Sequence, residues 1–206
     1  MKIIVTGADR PLGGLLCRSL DQSCEIVPVG QAAASSEDLE GREYRCVDLC
    51  IAADVAAVVQ GAGALVHALP FDPPAAGTDA QAGAELLGQI ARGTYVVVMA
   101  ALEAGMKRIV LISQMALLQD YPDDYLVSPD WRPLPRAEAD SLAPYTAELV
   151  CREIARTGRI EVICLRFGAL DAEGGTGAAD AVEAVAAALQ ENNPDRGQNW
   201  SLRHVV

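Results

Sequence analysis

The chain has 206 residues, of which 51% are hydrophobic and only 4% aromatic, so one domain with a sizeable aliphatic core is expected. A formal charge of −12 and an isoelectric point near 4.5 work against nucleic acid and anionic membrane surfaces as partners. No apolar run reaches the roughly 20 residues that a membrane span requires.

Ile3, Ile4 and Val5 form a buried-strand run that Thr6-Gly7-Ala8 breaks sharply, and a helical pattern over residues 13–21 follows. Strand, glycine turn and helix N-terminus together make an anion site, because unpaired N–H groups and the helix dipole point the same way. The glycines stand at Gly7 and Gly13, with Arg10 where a third is often found, and an ordinary tight turn reads equally well from this spacing. Residues 25–29 predict a second strand, in which Pro28 hints at a sheet edge. At its end, where a dinucleotide site usually carries an acid for the ribose 2′-OH or an arginine for a 2′-phosphate, stand Gly30 and Gln31. Glutamine can still bond a ribose, so NAD and NADP remain open.

Residues 31–43 read as an exposed connection, 44–49 as a short strand, 52–60 as a helix and 64–69 as a strand closed by Pro70. After a loop over 71–77, a long helix spans 79–104 and ends before Gly105. Gly83, Gly88 and Gly93 each weaken that helix by roughly 1 kcal/mol relative to alanine, which suggests close packing against another helix. A strand at 108–113 leads into the irregular stretch 119–141, with Tyr121, Asp123, Asp124, Tyr125, Trp131, Arg132 and Arg136. A helix over 143–156, a strand over 161–166, a helix over 179–190 and a strand over 200–206 complete the order. Strands alternating with helices predict an α/β fold, a doubly wound parallel sheet covered on both faces. Residues 1–206 read as one domain, with 167–206 a reduced C-terminal portion.

Cys17, Cys24, Cys46, Cys50, Cys151 and Cys164 form no C-x-x-C, and neither His67 nor His204 has metal-site spacing to them. Reduced thiols, no metal and a cytoplasmic location are expected. Met1-Lys2 runs directly into the first strand, which leaves no room for a signal peptide.

The segments KIIVTGADRPLG, Val47-Asp48-Leu49, LVHAL, GTYVVVMAALEAGMKRIVLIS, PYTAELVCRE and VICLRFG occur in this order over residues 1 to about 170. In that order and spacing the chain resembles the extended short-chain dehydrogenase/reductase family, of the NAD-dependent epimerase/dehydratase type. The resemblance implies a Rossmann fold with NAD or NADP across the strand C-termini. Gly7, Asp9, Arg10, Pro11, Leu12 and Gly13 would contact it from the turn. Gln31, Asp48 and Leu49 would lie toward adenosine, and Ala68, Leu69 and Ile112 would line the rest. His67 is then the family's strand-end residue. The substrate lobe usual after the LR-containing strand is abbreviated.

In this family a tyrosine passes the proton, and a lysine four residues on, one helical turn away, stabilises the tyrosinate. Tyr145 matches the tyrosine, Glu153 a later glutamate, but Leu149 stands at the lysine position. The chain's two lysines, Lys2 and Lys107, begin strands and are expected at the sheet edge opposite the site. An inward-pointing Glu148 would oppose a tyrosinate. Arg152, two turns along, either supplies charge or forms a solvated salt bridge.

Ser113 matches the first residue of the family's serine run, but Gln114 and Met115 follow it, and Ile90 replaces a frequent asparagine. Catalysis is therefore expected to be altered or lost; the alternative is a non-enzymatic dinucleotide-binding sensor or interaction scaffold. Arg10 either contacts the pyrophosphate or obstructs it. Trp131, Arg132 and Arg136 are the candidates for a small acidic substrate, or else anchor the loop and balance nearby carboxylates. Small residues on the helices 79–104 and 143–156 suit a homodimer.

Overall fold

Short runs of Ile, Val and Leu without alternation suit strands buried on both faces, and in the computed structural model such runs form the centre of a sheet that has seven strands among the described residues. It describes residues 1–21, 23–74, 77, 79–122, 124–191 and 199–206. Asp123 and part of the 71–77 loop lie outside these residues.

The elements are β1 (Lys2–Thr6), α1 (Pro11–Ser19), β2 (Glu25–Gly30), β3 (Arg45–Cys46), α2 (Ala52–Val59), β4 (Ala64–His67), α3 (Ala80–Glu103), β5 (Arg108–Gln114), α4 (Ala139–Ala155), β6 (Glu161–Phe167), α5 (Ala178–Gln190) and β7 (Trp200–Val205). All strand pairs are parallel, in the order β3-β2-β1-β4-β5-β6-β7. The Rossmann-type doubly wound sheet expected from the sequence is therefore present.

Strand residues alternate between two apolar layers, as a period of two requires. Ile4, Leu65, Ile109, Val162 and Cys164 pack with residues of α2, α3 and α4, among them Val55, Val97 and Ala147. Ile3, Val5, Val66, Val110 and Ile163 pack with Leu16 of α1 and Val185 of α5. The chain reverses its winding between β1 and β4, and the crevice above such a reversal is where ligands of open α/β sheets bind.

Some elements depart from the sequence expectation. Helix α1 begins at Pro11, whose fixed φ and missing N–H suit a first helical position. Helix α4 starts at Ala139, not at 143, and runs through Pro144, which removes one backbone hydrogen bond near its beginning. Strand β3 keeps only two residues and pairs only Val29 and Gly30, so beside Pro28 strand β2 is itself an edge. Strand β4 stops at His67, and Leu69–Phe71 turn as a 3₁₀ segment instead.

The ends of α3 are as expected. Asp79 Oδ1 accepts from the Gln81 N–H at 3.1 Å, and Gly105 follows the helix with φ +80°. Of its glycines, Gly83 faces the Ala139 methyl of α4 and Gly93 lies under Leu49, whereas Gly88 faces open space. Among the described residues no helix is long and apolar enough to cross a membrane.

A Cβ on Gly13 would fall 1.9 Å from the Gly7 carbonyl oxygen, a contact that backbone atoms on both sides cannot relieve. Gly13→Ala is expected to destabilise the protein by about 2 kcal/mol or more, read as a lower urea midpoint. An unchanged midpoint would show that α1 can move off the turn.

Candidate functional site along the strand C-termini

The first loop is shaped by two glycines. Gly7 adopts φ +73°, and a Cβ there would meet the Leu69 nitrogen at 2.9 Å. Gly13 lets the first turn of α1 rest on the Gly7 carbonyl, while the Ala8 N–H donates to Val29 and the Arg10 N–H to Gly7, both at 2.9 Å. The leading N–H groups of α1, at Leu12 and Gly13, precede any intrahelical acceptor, and Pro11 has none to offer.

Three clefts follow the crest from this loop. One of about 420 Å³ is lined by Asp9, Arg10, Gln31, Ala32, Asp48 and Leu69, among others. A second, of about 480 Å³, runs from Pro11 and Leu12 past Phe71 and Gln114 to Phe167–Leu170. A third, of about 450 Å³, shares Phe71 and Gln114 and extends to Arg136 and Ser141. Phe71 joins the two, its carbonyl accepting from Gln114 Nε2 and its ring set edge-on to Phe167 at 6.0 Å.

The expected cofactor residues thus divide. Asp9, Arg10, Gln31, Asp48 and Leu69 line one crest cleft, and Pro11 and Leu12 the next. Gly7 and Gly13 shape the loop, whereas Leu49, Ala68 and Ile112 are buried and line none of these clefts.

Behind the crest lies a network that the sequence reading did not foresee. Arg166 sits on β6 and is 1% exposed, and Glu148, on the inward face of α4, is 5% exposed. Arg166 donates from Nε and one terminal nitrogen to the two oxygens of Glu148, at 2.8 and 2.7 Å. Ser113 Oγ donates to Glu148 as well, at 2.6 Å. Burial acts to lower the Arg166 pKa, but the hydrogen bonds and charge of Glu148 outweigh it and raise it overall. Arg166 therefore stays charged. The hydroxyl of Ser113, fully buried, is committed to this pair and does not line the crest clefts.

Tyr145 lines a different cleft, of about 650 Å³, between α4, the start of β7 and the 129–133 segment. Trp131 and Arg132 line it too, together with Leu149, Arg152 and Arg166. Arg136 does not join them. Its guanidinium forks onto Asp120, at 2.8 and 3.1 Å, and it faces the third crest cleft. Trp131 packs edge-on against Tyr121 and Tyr125, both within the same loop, and is not part of either apolar layer. Arg152 is half-exposed, 3.8 Å from Glu153. Lys2 and Lys107 stand at or just before the starts of β1 and β5, opposite the crest, and Lys2 bonds the Gln60 carbonyl at 2.7 Å.

His67 is a satisfied core residue. Its Nδ1 lies 2.7 Å from Thr6 Oγ1 and its Nε2 3.0 Å from Thr94 Oγ1, and burial pushes its pKa down to about 3. Burial also pushes Cys17 up to about 12 and raises Cys151 and Cys164, which leaves these thiols protonated. Cys46, by contrast, is exposed. Among the described residues no group of three or more acidic, His or Cys side chains could hold a metal.

A model of the NAD-dependent epimerase/dehydratase family matches residues 3–195. The chain belongs to that family. No curated protein matches it by sequence. Solved structures do. A UDP-glucuronic acid 4-epimerase from Bacillus cereus, in complex with UDP-glucuronic acid and NAD, superposes with TM-score 0.81 at 17% identity, over 100% of this chain and 77% of that one. A dTDP-glucose 4,6-dehydratase from Streptomyces venezuelae with NAD bound gives TM-score 0.77 at 16% identity, over 100% and 75%. A short-chain dehydrogenase/reductase superfamily protein from Agrobacterium tumefaciens with bound NAD gives 0.69 at 20% identity, and this chain spans half of its length. At such identities the likeness establishes the fold alone.

The residues present fit a dinucleotide. The Gly7–Gly13 cradle admits backbone approach, and Asp9, which lines the first cleft, has one carboxylate oxygen enclosed without a hydrogen-bond partner.

Two outcomes follow from the buried groups. Glu148→Gln removes the charge that Arg166 is paired with, and should cost about 3–5 kcal/mol of stability in chemical denaturation. The neutral His67 makes the unfolded chain the better proton acceptor below pH 6.5. Its contribution is complete above that pH and is lost on acidification toward 3, at up to about 1.4 kcal/mol per pH unit. His67→Gln should flatten the fall in urea midpoint between pH 6.5 and 5; an equal fall in both proteins would contradict this.

Proposed function

We propose that the chain binds a nicotinamide dinucleotide along the crest of its sheet and that its redox chemistry is altered or lost. Bound there, the nicotinamide ring supplies hydride-transfer capacity. Gly7 and Gly13 shape the cradle, Pro11 and Leu12 flank the pyrophosphate end, and Asp9, Arg10, Gln31, Asp48 and Leu69 flank the adenosine end. Leu49, Ala68 and Ile112 act from behind, as packing that holds the strand ends.

The observation that carries the altered chemistry is the pairing of two departures. Leu149 places a branched alkyl group in the cleft beside Tyr145 where a cation is needed, and Ser113 is hydrogen-bonded to Glu148. Of the guanidinium groups that share the cleft with Tyr145, Arg166 is committed to Glu148 and Arg152 is half-exposed, 3.8 Å from a glutamate, so neither replaces a lysine one turn away. The same facts favour a second reading, a non-enzymatic sensor or interaction scaffold whose dinucleotide is a signal and not a reagent.

Trp131 and Arg132, sharing a cleft with Tyr145, are proposed to meet a small acidic substrate if one is turned over. UDP-glucuronic acid, bound in the Bacillus cereus neighbour, is the compound to try first. Arg136, tied to Asp120, is proposed only for the rim of the third crest cleft. Residues 1–206 are proposed to act as one cytoplasmic unit with a reduced C-terminal portion. A homodimer through 79–104 and 143–156 is proposed because Gly88 presents an open small-residue surface and Tyr95 is 53% exposed.

NADH should bind with micromolar affinity, read by its fluorescence, while UDP-glucuronic acid with NAD⁺ gives no turnover. Turnover that Tyr145→Phe abolishes would overturn the loss of chemistry. Light scattering at micromolar concentration should give twice the 21.7 kDa chain mass; a monomer would remove the dimer.

A further inference from the structure

Strand β2 ends without the side chain that a dinucleotide-binding strand ordinarily offers to the adenosine ribose, because Gly30 stands there. The space beside Gly30 is filled from elsewhere. Asp9 leaves the β1–α1 turn and reaches across it. A Cβ on Gly30 would fall 2.4 Å from Asp9 Oδ1 and 2.5 Å from the Tyr44 hydroxyl.

The Asp9 carboxylate is fixed in that place. Its Oδ2 accepts from the Gln31 N–H at 3.1 Å and the Ala32 N–H at 2.9 Å, the two amides that follow Gly30. The Tyr44 hydroxyl donates to the Ala32 carbonyl at 2.7 Å and so offers Oδ1 no proton. Asp9 Oδ1 is consequently enclosed with no donor, while the residue itself lines the cleft that Gln31 and Asp48 also line. A buried acceptor without a partner is unfavourable, and a small turn of the carboxylate toward the cleft lets a ligand hydroxyl relieve it.

We infer that Asp9 takes the place of the missing strand-end acid: it accepts from the ribose hydroxyls of a bound dinucleotide and selects a 2′-hydroxyl over a 2′-phosphate. The chain accordingly prefers NAD(H) to NADP(H). This rests on the proposal that the crest binds a dinucleotide. Arg10 lines the same cleft with the opposite charge, which would favour a phosphate. Asp9 decides the preference because two N–H groups hold it at the strand end, whereas Arg10 has no such anchor among the described residues.

Calorimetric titration of NAD⁺ and NADP⁺ into three proteins tests this. The wild type should bind NAD⁺ at least about tenfold more tightly than NADP⁺, the equivalent of one charge-assisted hydrogen bond. Asp9→Asn, which keeps a carbonyl for the Gln31 and Ala32 amides, should narrow or reverse that ratio. The double variant Asp9→Gly/Gly30→Asp returns the acid to the strand end and should restore it. A wild type that prefers NADP⁺, or an Asp9→Asn ratio equal to the wild type's, overturns the inference while leaving dinucleotide binding standing. A wild type that binds neither cofactor overturns both.

Discussion

Gly7 and Gly13 meet backbone to backbone, and the crest of the molecule is arranged by that contact. With no side chain at position 13, the first turn of α1 settles directly on the carbonyl of the preceding loop. The loop is thereby held tight enough for Gly7 to need positive φ, for Leu69 to close over it, and for Asp9 to face the end of β2. A wider turn would move the helix N-terminus off the strand ends and leave no cradle. Arg10, which replaces the middle glycine, is accommodated because it lies outside this contact, at the N-cap with extended backbone.

A second constraint acts behind the crest. A guanidinium near the C-terminal end of β6 and a carboxylate on α4 are both taken out of water, which is tolerable only because they are paired in two hydrogen bonds. The pair ties the helix carrying Tyr145 to the sheet, and it draws in the Ser113 hydroxyl. The strands, the turn and the helix packing are intact, while Leu149 lines the cleft beside Tyr145 and the Ser113 hydroxyl is bonded to Glu148.

Much of this was legible in the sequence. Apolar runs and glycine punctuation placed the central strands β1, β4, β5 and β6. Boundaries failed where local preference was overruled: Pro144 did not stop α4 from starting at Ala139, and residues 44–49 yielded only a two-residue strand because β2 has little beyond Pro28 to pair with. The grouping of Arg136 with Trp131 and Arg132 failed because Asp120, sixteen residues away in sequence, captures its guanidinium. The buried pair had a signal that went unread: an arginine inside VICLRFG, a strand otherwise apolar, must find a buried partner, and Glu148 lies on the inward stripe of α4 with Ala147 and Cys151. Asp9 over Gly30 had none, since nothing in the spacing shows a turn residue folding back onto the next strand.

The claim on which the rest hangs is that the crest is a dinucleotide site. Amide hydrogen exchange with and without NAD⁺ locates binding without requiring turnover. Protection is predicted over residues 7–14 and 30–32 and around Leu69, with residues 129–133 and the start of β7 unchanged. Exchange that NAD⁺ leaves unaltered in the 7–14 turn, or that it slows only elsewhere in the molecule, would contradict the account.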